Sequence, residues 1–188
     1  MKKINVLFIV GFLVIVSTSL FSNYAHFNYP PTHQSNREKK LIADSKNAQS
    51  EFIKSDGLMR NLFNSAYAYV IFPNIGKGGF GFGGATGNGV VFKRGSIIGT
   101  ARMTQITIGF QAGGQAYREV IFFENESVLN DFKENKIEFS AQASAILVAE
   151  GAAGNVKYSN GIMIFTQPKG GLMYEASVGG QKFTFKQF

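Results

Sequence analysis

Residues 75–89 read Ile75-Gly76-Lys77-Gly78-Gly79-Phe80-Gly81-Phe82-Gly83-Gly84-Ala85-Thr86-Gly87-Asn88-Gly89, and the reading of this stretch decides the fold. Gly79, Gly81 and Gly83 alternate with Phe80 and Phe82, so in an extended chain one face is bare backbone and the other carries two rings. Glycine at such spacing marks a bulge, a bend, or a place where a helix, an aromatic ring or a ligand comes close. The pattern G-x-G-x-x-G occurs twice, at Gly76, Gly78 and Gly81 and at Gly79, Gly81 and Gly84. A dinucleotide fingerprint has to open a helix, whereas the strand-forming Val90-Val91-Phe92 follows here. Gly76-Lys77-Gly78 lacks the Ser or Thr that follows the lysine of a phosphate-binding loop. The segment therefore reads as strand and not as a nucleotide cradle.

Working outward, glycine-punctuated strands are expected at Tyr67 to Phe72, ended by Pro73, then at Gly78 to Thr86, Asn88 to Arg94, Ile97 to Ile108, Gln115 to Phe123, Glu138 to Ala149, Val156 to Thr166 and Ala176 to Phe185. A short helix, Ser127 to Glu134, interrupts them. Gly113-Gly114-Gln115-Ala116-Tyr117 echoes Gly179-Gly180-Gln181-Lys182-Phe183, a short echo that reads as internal duplication or as two similar bends. Upstream, Leu41, Ile42, Ala48, Phe52 and Ile53 cluster on about 140° of a helical wheel, with Lys39, Lys40, Lys46 and Lys54 largely opposite. This predicts an amphipathic helix from Arg37 to Ser55, capped by Ser35 or Asn36 and stopped by Asp56-Gly57, then a helical turn from Leu58 to Ser65. The expected class is α+β: a mainly antiparallel sheet or partly closed barrel, an N-terminal amphipathic helix and one short inserted helix.

Composition excludes several chemistries. The 188 residues include no cysteine, so disulfides, thiolate metal sites and thiol nucleophiles are absent. The two histidines, His26 and His33, lie in a polar, proline-bearing stretch ahead of the expected domain, which leaves a Ser-His-acid triad without its imidazole. No metal site and no cofactor is expected. Lys2 and Lys3 precede an apolar run from Val6 to Val16 and then Ser17, Thr18 and Ser19, the layout of a secretory signal peptide. Residues 1–25 are read as that leader or as an uncleaved anchor, 26–36 as a linker and 37–188 as one domain of an exported protein, periplasmic or secreted.

The formal charge is +7, and residues 61–118 hold five cations and no acid. Such a field favours an anionic partner or serves as a solvated basic face. Among the acids, Glu119, Glu150 and Glu175 lie in or beside apolar strands where burial would raise a carboxyl pKa toward catalytic use. No spacing pairs them, and adjacent Arg118 and Glu119 point to opposite faces of a strand.

The chain from Ala66 to Phe188 resembles the SYLF family of lipid-binding domains. The resemblance is carried by Ala68-Tyr69-Val70-Ile71-Phe72-Pro73, by Gly76-Lys77-Gly78-Gly79-Phe80-Gly81-Phe82-Gly83-Gly84 and by Gly87-Asn88-Gly89-Val90-Val91. It continues in Ile108-Gly109-Phe110-Gln111-Ala112-Gly113-Gly114-Gln115, in Glu119-Val120-Ile121-Phe122-Phe123 and in Lys169-Gly170-Gly171-Leu172-Met173. It implies a non-enzymatic domain that binds anionic phospholipid, with the basic N-terminal helix a favoured contact and actin or its regulators as partners of some eukaryotic members. On this reading Lys39, Lys40, Lys46, Lys54 and Arg60 supply charge from the helices, Lys77, Lys93, Arg94 and Arg102 from the strands, and Phe80 and Phe82 either insert into the bilayer or pack in the core. A protein-interaction or envelope-structure module is the first alternative. An enzyme using Glu119, Glu150 or Glu175 is the second. Nucleic acid is not an expected partner, because the cations follow no reading motif.

Overall fold

The computed structural model describes residues 35–109, 115–137, 145–170 and 180–188, and of residues 80–82 and 107–109 the backbone alone. The expected leader, nearly all of the expected linker, Glu175 and the side chains of Phe80 and Phe82 lie outside the described residues. Among the described residues three helices, α1 (Asn36–Ser55), α2 (Met59–Ser65) and α3 (Glu126–Lys133), accompany six strands: β1 (Ala68–Lys93), β2 (Ser96–Gly109), β3 (Gln115–Phe123), β4 (Ile146–Leu147), β5 (Ile162–Pro168) and β6 (Gln181–Gln187). The strands form one sheet in the order β4-β5-β3-β1-β2-β6, antiparallel except for the short β4–β5 pair. The class is therefore α+β with a mostly antiparallel sheet.

Strand β1 differs from its expected form. Straight, its 26 residues and their flanks would separate Tyr67 from Arg94 by about 90 Å. Instead the Arg94 N–H donates to the Tyr67 carbonyl at 3.2 Å. β1 thus folds back on itself: Ala68 to Lys77 pairs with β3, and Gly81 to Lys93 pairs with β2. The two arms press together where the second is glycine. A Cβ on Gly89 would lie 2.6 Å from the Ile71 carbonyl oxygen and 2.7 Å from the Phe72 ring, and one on Gly87 would lie 3.0 Å from the Asn74 carbonyl oxygen. At Gly87 and Gly89, what approaches is the neighbouring arm.

Two strand boundaries are corrected on this account. Pro73 does not end a strand: the register with β3 shifts between Phe72 and Ile75, so the proline sits in a bulge, where its missing N–H costs no ladder bond. Nor is there a break at Gly87, because β1 runs on through Asn88 in unbroken register with β2. The β1–β2 connection is the two-residue turn Arg94-Gly95, both at positive φ (49° and 79°), as a twisted hairpin demands.

The expected strand Val156 to Thr166 is likewise replaced. A 3-10 turn occupies Ala152–Asn155, and the chain then reverses through Asn160-Gly161, with Ser159 and Ile162 exchanging backbone bonds of 2.9 and 3.0 Å. Regular pairing begins only at Ile162. Of the expected strand Glu138 to Ala149, the described part pairs only at Ile146 and Leu147, and of Ala176 to Phe185 the described part starts at Gln181.

The sheet buries both faces. On the outer one, Ala48 and Phe52 of α1 and Met59 and Phe63 of α2 pack on Tyr69, Ile71, Val90, Phe92, Val120, Phe122 and Phe165. Phe63 meets Tyr69 and Phe122 edge-on at 5.1 and 5.0 Å. On the inner one, Leu129 and Phe132 of α3 pack on Val70, Phe72, Met103, Ile121, Phe123 and Phe183. Four strand spacings, about 19 Å in a flat sheet, would separate β3 from β6 when both β1 arms are counted. Yet Gln181 of β6 donates to Glu119 of β3 at 3.0 Å. The sheet is strongly curled about its inner face.

Candidate functional site

The N-terminal half of α1 lies over the outer surface of the second β1 arm, β2 and β6, where strand alternation turns Asn88, Arg102, Thr184 and Lys186 outward. Between helix and strands runs a groove of about 480 Å³ lined by Arg37, Lys40, Leu41, Ala101, Arg102 and Lys186, with Glu38 and Asp44 on the helix side. Two of its cations are held by carboxylates: Lys40 Nζ lies 2.8 Å from Asp44, and Lys186 Nζ lies 3.4 Å from Glu38. Among the described residues no carboxylate lies within 4.0 Å of Arg37 or Arg102. The groove thus joins apolar walls to two guanidiniums and two ammoniums, a chemistry suited to an anionic head attached to an apolar body.

A second cleft of about 410 Å³ opens on the other flank of α1, beside the Pro73 bulge, with Lys40 and Asp44 common to both. It is lined by Glu51, Asn74, Arg118 and Lys169. Its cations are more engaged: Arg118 Nη1 donates to Gln167 at 2.7 Å and meets Glu51 at 3.4 Å, and Lys169 Nζ donates to Asn74 at 3.1 Å. Ser55 Oγ accepts the Gln167 side-chain amide, which ties the end of α1 to β5.

The cations expected from the sequence fall into separate groups. Lys40 and Arg102 meet in the groove. Lys39, Lys46 and Lys54 are exposed along α1, away from Ser45, Ala48 and Phe52, which it buries. Arg60 is exposed on α2. Lys93 and Arg94 stand at the β1–β2 turn, both over the Tyr67 ring, and Lys93 bonds Glu126 at 3.1 Å. Hydrogen bonds to Tyr67 and then to Glu126 raise the Lys93 pKa. Lys77 has to be withdrawn from the surface set: only 9% exposed, it follows Ile75 on the inner face of the first β1 arm, a position that the bulge at Pro73 assigns and that composition does not reveal. Arg37 and Lys186 were missing from the expected set. The alternation Lys182, Thr184, Lys186 could have marked Lys186 as an outward residue of β6.

The acids diverge as well. Glu119 has no solvent exposure while Glu150 is exposed in the turn before the 3-10 segment, so these two do not share a solvent-open pocket. Burial raises the Glu119 pKa to about 7, with the Gln181 amide acting in the opposite direction. Among the described residues no three acidic or histidine side chains cluster as metal ligands, and no helix is long and apolar enough to cross a membrane.

No protein-family model matches the chain. Over 123 residues it is 27% identical to the protein named Beta cell expansion factor A from Aeromonas veronii, a match that covers 65% of this chain and 47% of that protein. The chain thus spans about half the length of the curated relative it matches.

Proposed function

We propose that this protein is an exported, non-enzymatic member of the SYLF family that docks peripherally on anionic phospholipid, with its curled sheet forming a partly closed barrel behind the docking helix. The observation that carries the reading is the groove that Arg37, Lys40, Arg102 and Lys186 line together with Leu41. The exposed lysines of α1, Lys39, Lys46 and Lys54, extend the same helix's positive charge beyond it. Arg37, Arg102 and these three lysines, at about 1 kcal/mol each near a charged surface, supply about 5 kcal/mol. Alone that corresponds to a dissociation constant of roughly 0.2 mM, so apolar contact in the groove has to add to it. Lys40 is held by an exposed pair with Asp44, worth at most about 1 kcal/mol, and exchanges that partner for a phosphate at little cost. The Aeromonas veronii protein is named for expansion of beta cells, and its name specifies no ligand.

Flotation of the full chain with phosphatidylglycerol vesicles tests the reading. Recovery is expected to fall steeply with ionic strength, and R37Q/R102Q is expected to weaken it by about tenfold or more. Equal recovery on neutral phosphatidylcholine vesicles overturns the proposal. Capture of a protein partner that survives high salt and detergent, with no lipid copurifying, favours the interaction-module reading instead.

A further inference from the structure

The second β1 arm, β2 and β6 hold no acid: neither Gly81 to Lys93, nor Ser96 to Gly109, nor Gln181 to Gln187 contains Asp or Glu. Past the groove, strand alternation turns Thr104 and Ile106 to the same outer face as Arg102. Ile106 is 80% exposed, whereas the other exposed large apolar residues among those described, Leu58, Leu147 and Phe188, reach only 43% or 44%. The cause lies in its neighbours. Its register partner on β1 is Gly84, and on the β6 side Gly180 comes so close that a Cβ there would lie 3.7 Å from the Ile106 carbonyl oxygen. With glycine on both sides, no side chain stands directly opposite the isoleucine. Its apolar surface therefore adds little to the sheet, whose outward side chains gain stability by packing on cross-strand neighbours, and is open to another body.

The surroundings say which body. Lys182 is the register partner of Thr104, one row behind Ile106 on the same face, and Arg102 lies one row further. Among the described residues no carboxylate lies within 4.0 Å of either cation. Ahead of Ile106 the paired backbones run on through Gly81 to Gly83 and Thr107 to Gly109, whose sequence holds no charge. Two residues of strand rise about 7 Å, so the isoleucine leads the first ammonium by a distance that matches the depth, roughly 5–10 Å, at which interfacial apolar groups sit in a bilayer.

We propose that this end of the outer sheet face enters an anionic bilayer, with Ile106 in the acyl region and Lys182 and Arg102 at the phosphates. The inference rests on the lipid-docking reading and adds to it a point of apolar insertion outside the groove. A bilayer fits the face better than a protein partner does. A protein interface needs a contiguous apolar patch of matched shape, whereas hydrocarbon accepts one side chain that stands alone between glycines. Moving an isoleucine from water into hydrocarbon strengthens binding roughly tenfold to a hundredfold. That gain persists as salt rises, while the gain from the cations fades.

The chain contains no tryptophan, so I106W places a single indole at the point of insertion. With phosphatidylglycerol vesicles its emission is expected to shift to the blue and to be quenched by lipid brominated on the acyl chains. N130W, at an exposed position of α3 over the opposite sheet face, is expected to show neither change. In flotation of the full chain, I106S is expected to lower affinity about tenfold or more at every ionic strength where binding is measurable, and I106L to retain it. The denaturation midpoint of I106S should stay where it is, because the residue is already exposed. Flotation of the unaltered chain with no shift of I106W, or I106S binding as tightly as the unaltered chain, overturns the inference and leaves the lipid reading standing. A blue shift that follows addition of a captured protein partner and not of vesicles assigns the face to a protein interface and overturns it as well. Failure of the unaltered chain to float on phosphatidylglycerol overturns both.

Discussion

Asp56 and Glu119 are both buried carboxyls, 2% and 0% exposed, and the two regions that hold them treat them differently. Asp56 stands at the elbow between α1 and α2, where Oδ1 accepts the Leu58 N–H at 3.0 Å and Oδ2 accepts the Ala153 N–H at 2.7 Å. Each oxygen has a backbone donor that cannot be lost by side-chain rotation. Glu119, on the inner face, has one side-chain amide for two oxygens. Depth does not separate these sites. The supply of partners does: both oxygens of the elbow carboxyl meet backbone N–H groups, while one oxygen of the inner-face carboxyl meets no donor among the described residues.

The contrast extends to packing, where the largest effect is expected. Gly89 faces the backbone of the first β1 arm, whereas a Cβ on Gly78 would meet nothing within 4 Å. G89A should lower stability by about 3 kcal/mol or more, since a carbonyl 2.6 Å away has no rotamer to yield, while G78A should cost less than about 1 kcal/mol. Denaturant midpoints compare the two, and equal midpoints would mean that the arms are not in tight contact. At the elbow, D56A should cost about 2 kcal/mol by orphaning the Ala153 N–H, and D56N should cost less because an acceptor remains. If both variants lose the same amount, charge and not donor satisfaction governs the site. The smallest effect on stability belongs to the groove: K40A should change it by less than about 0.5 kcal/mol yet weaken vesicle binding about fivefold. A loss of stability that matches the loss of binding would make Lys40 a structural residue.

Local pattern made part of this legible. The apolar run Val120 to Phe123 marks β3 because a strand buried on both faces needs apolar side chains at successive positions, and that pattern survives without knowledge of the partner strand. The same strand hid the surroundings of Glu119, whose register between Phe72 and Thr166 and contact with Gln181 join segments far apart in the chain. Asp56 was legible as a helix stop and not as the acceptor for Ala153, which lies 97 residues away. Asn160-Gly161 carried a hairpin signal that was masked by the apolar run around it.

The sequence by itself determined the glycine rhythm of residues 75–89, the absence of thiol chemistry and the concentration of positive charge. Those are properties of composition and near-neighbour spacing, which act over a few residues. Only the tertiary structure decided that β1 would double back, that Lys77 would turn inward, and that Arg37, Arg102 and Lys186 would line one groove. The reason is physical: curling the sheet until its inner face is buried sets which distant strands meet, and that curvature is a property of the whole sheet, written in no single segment.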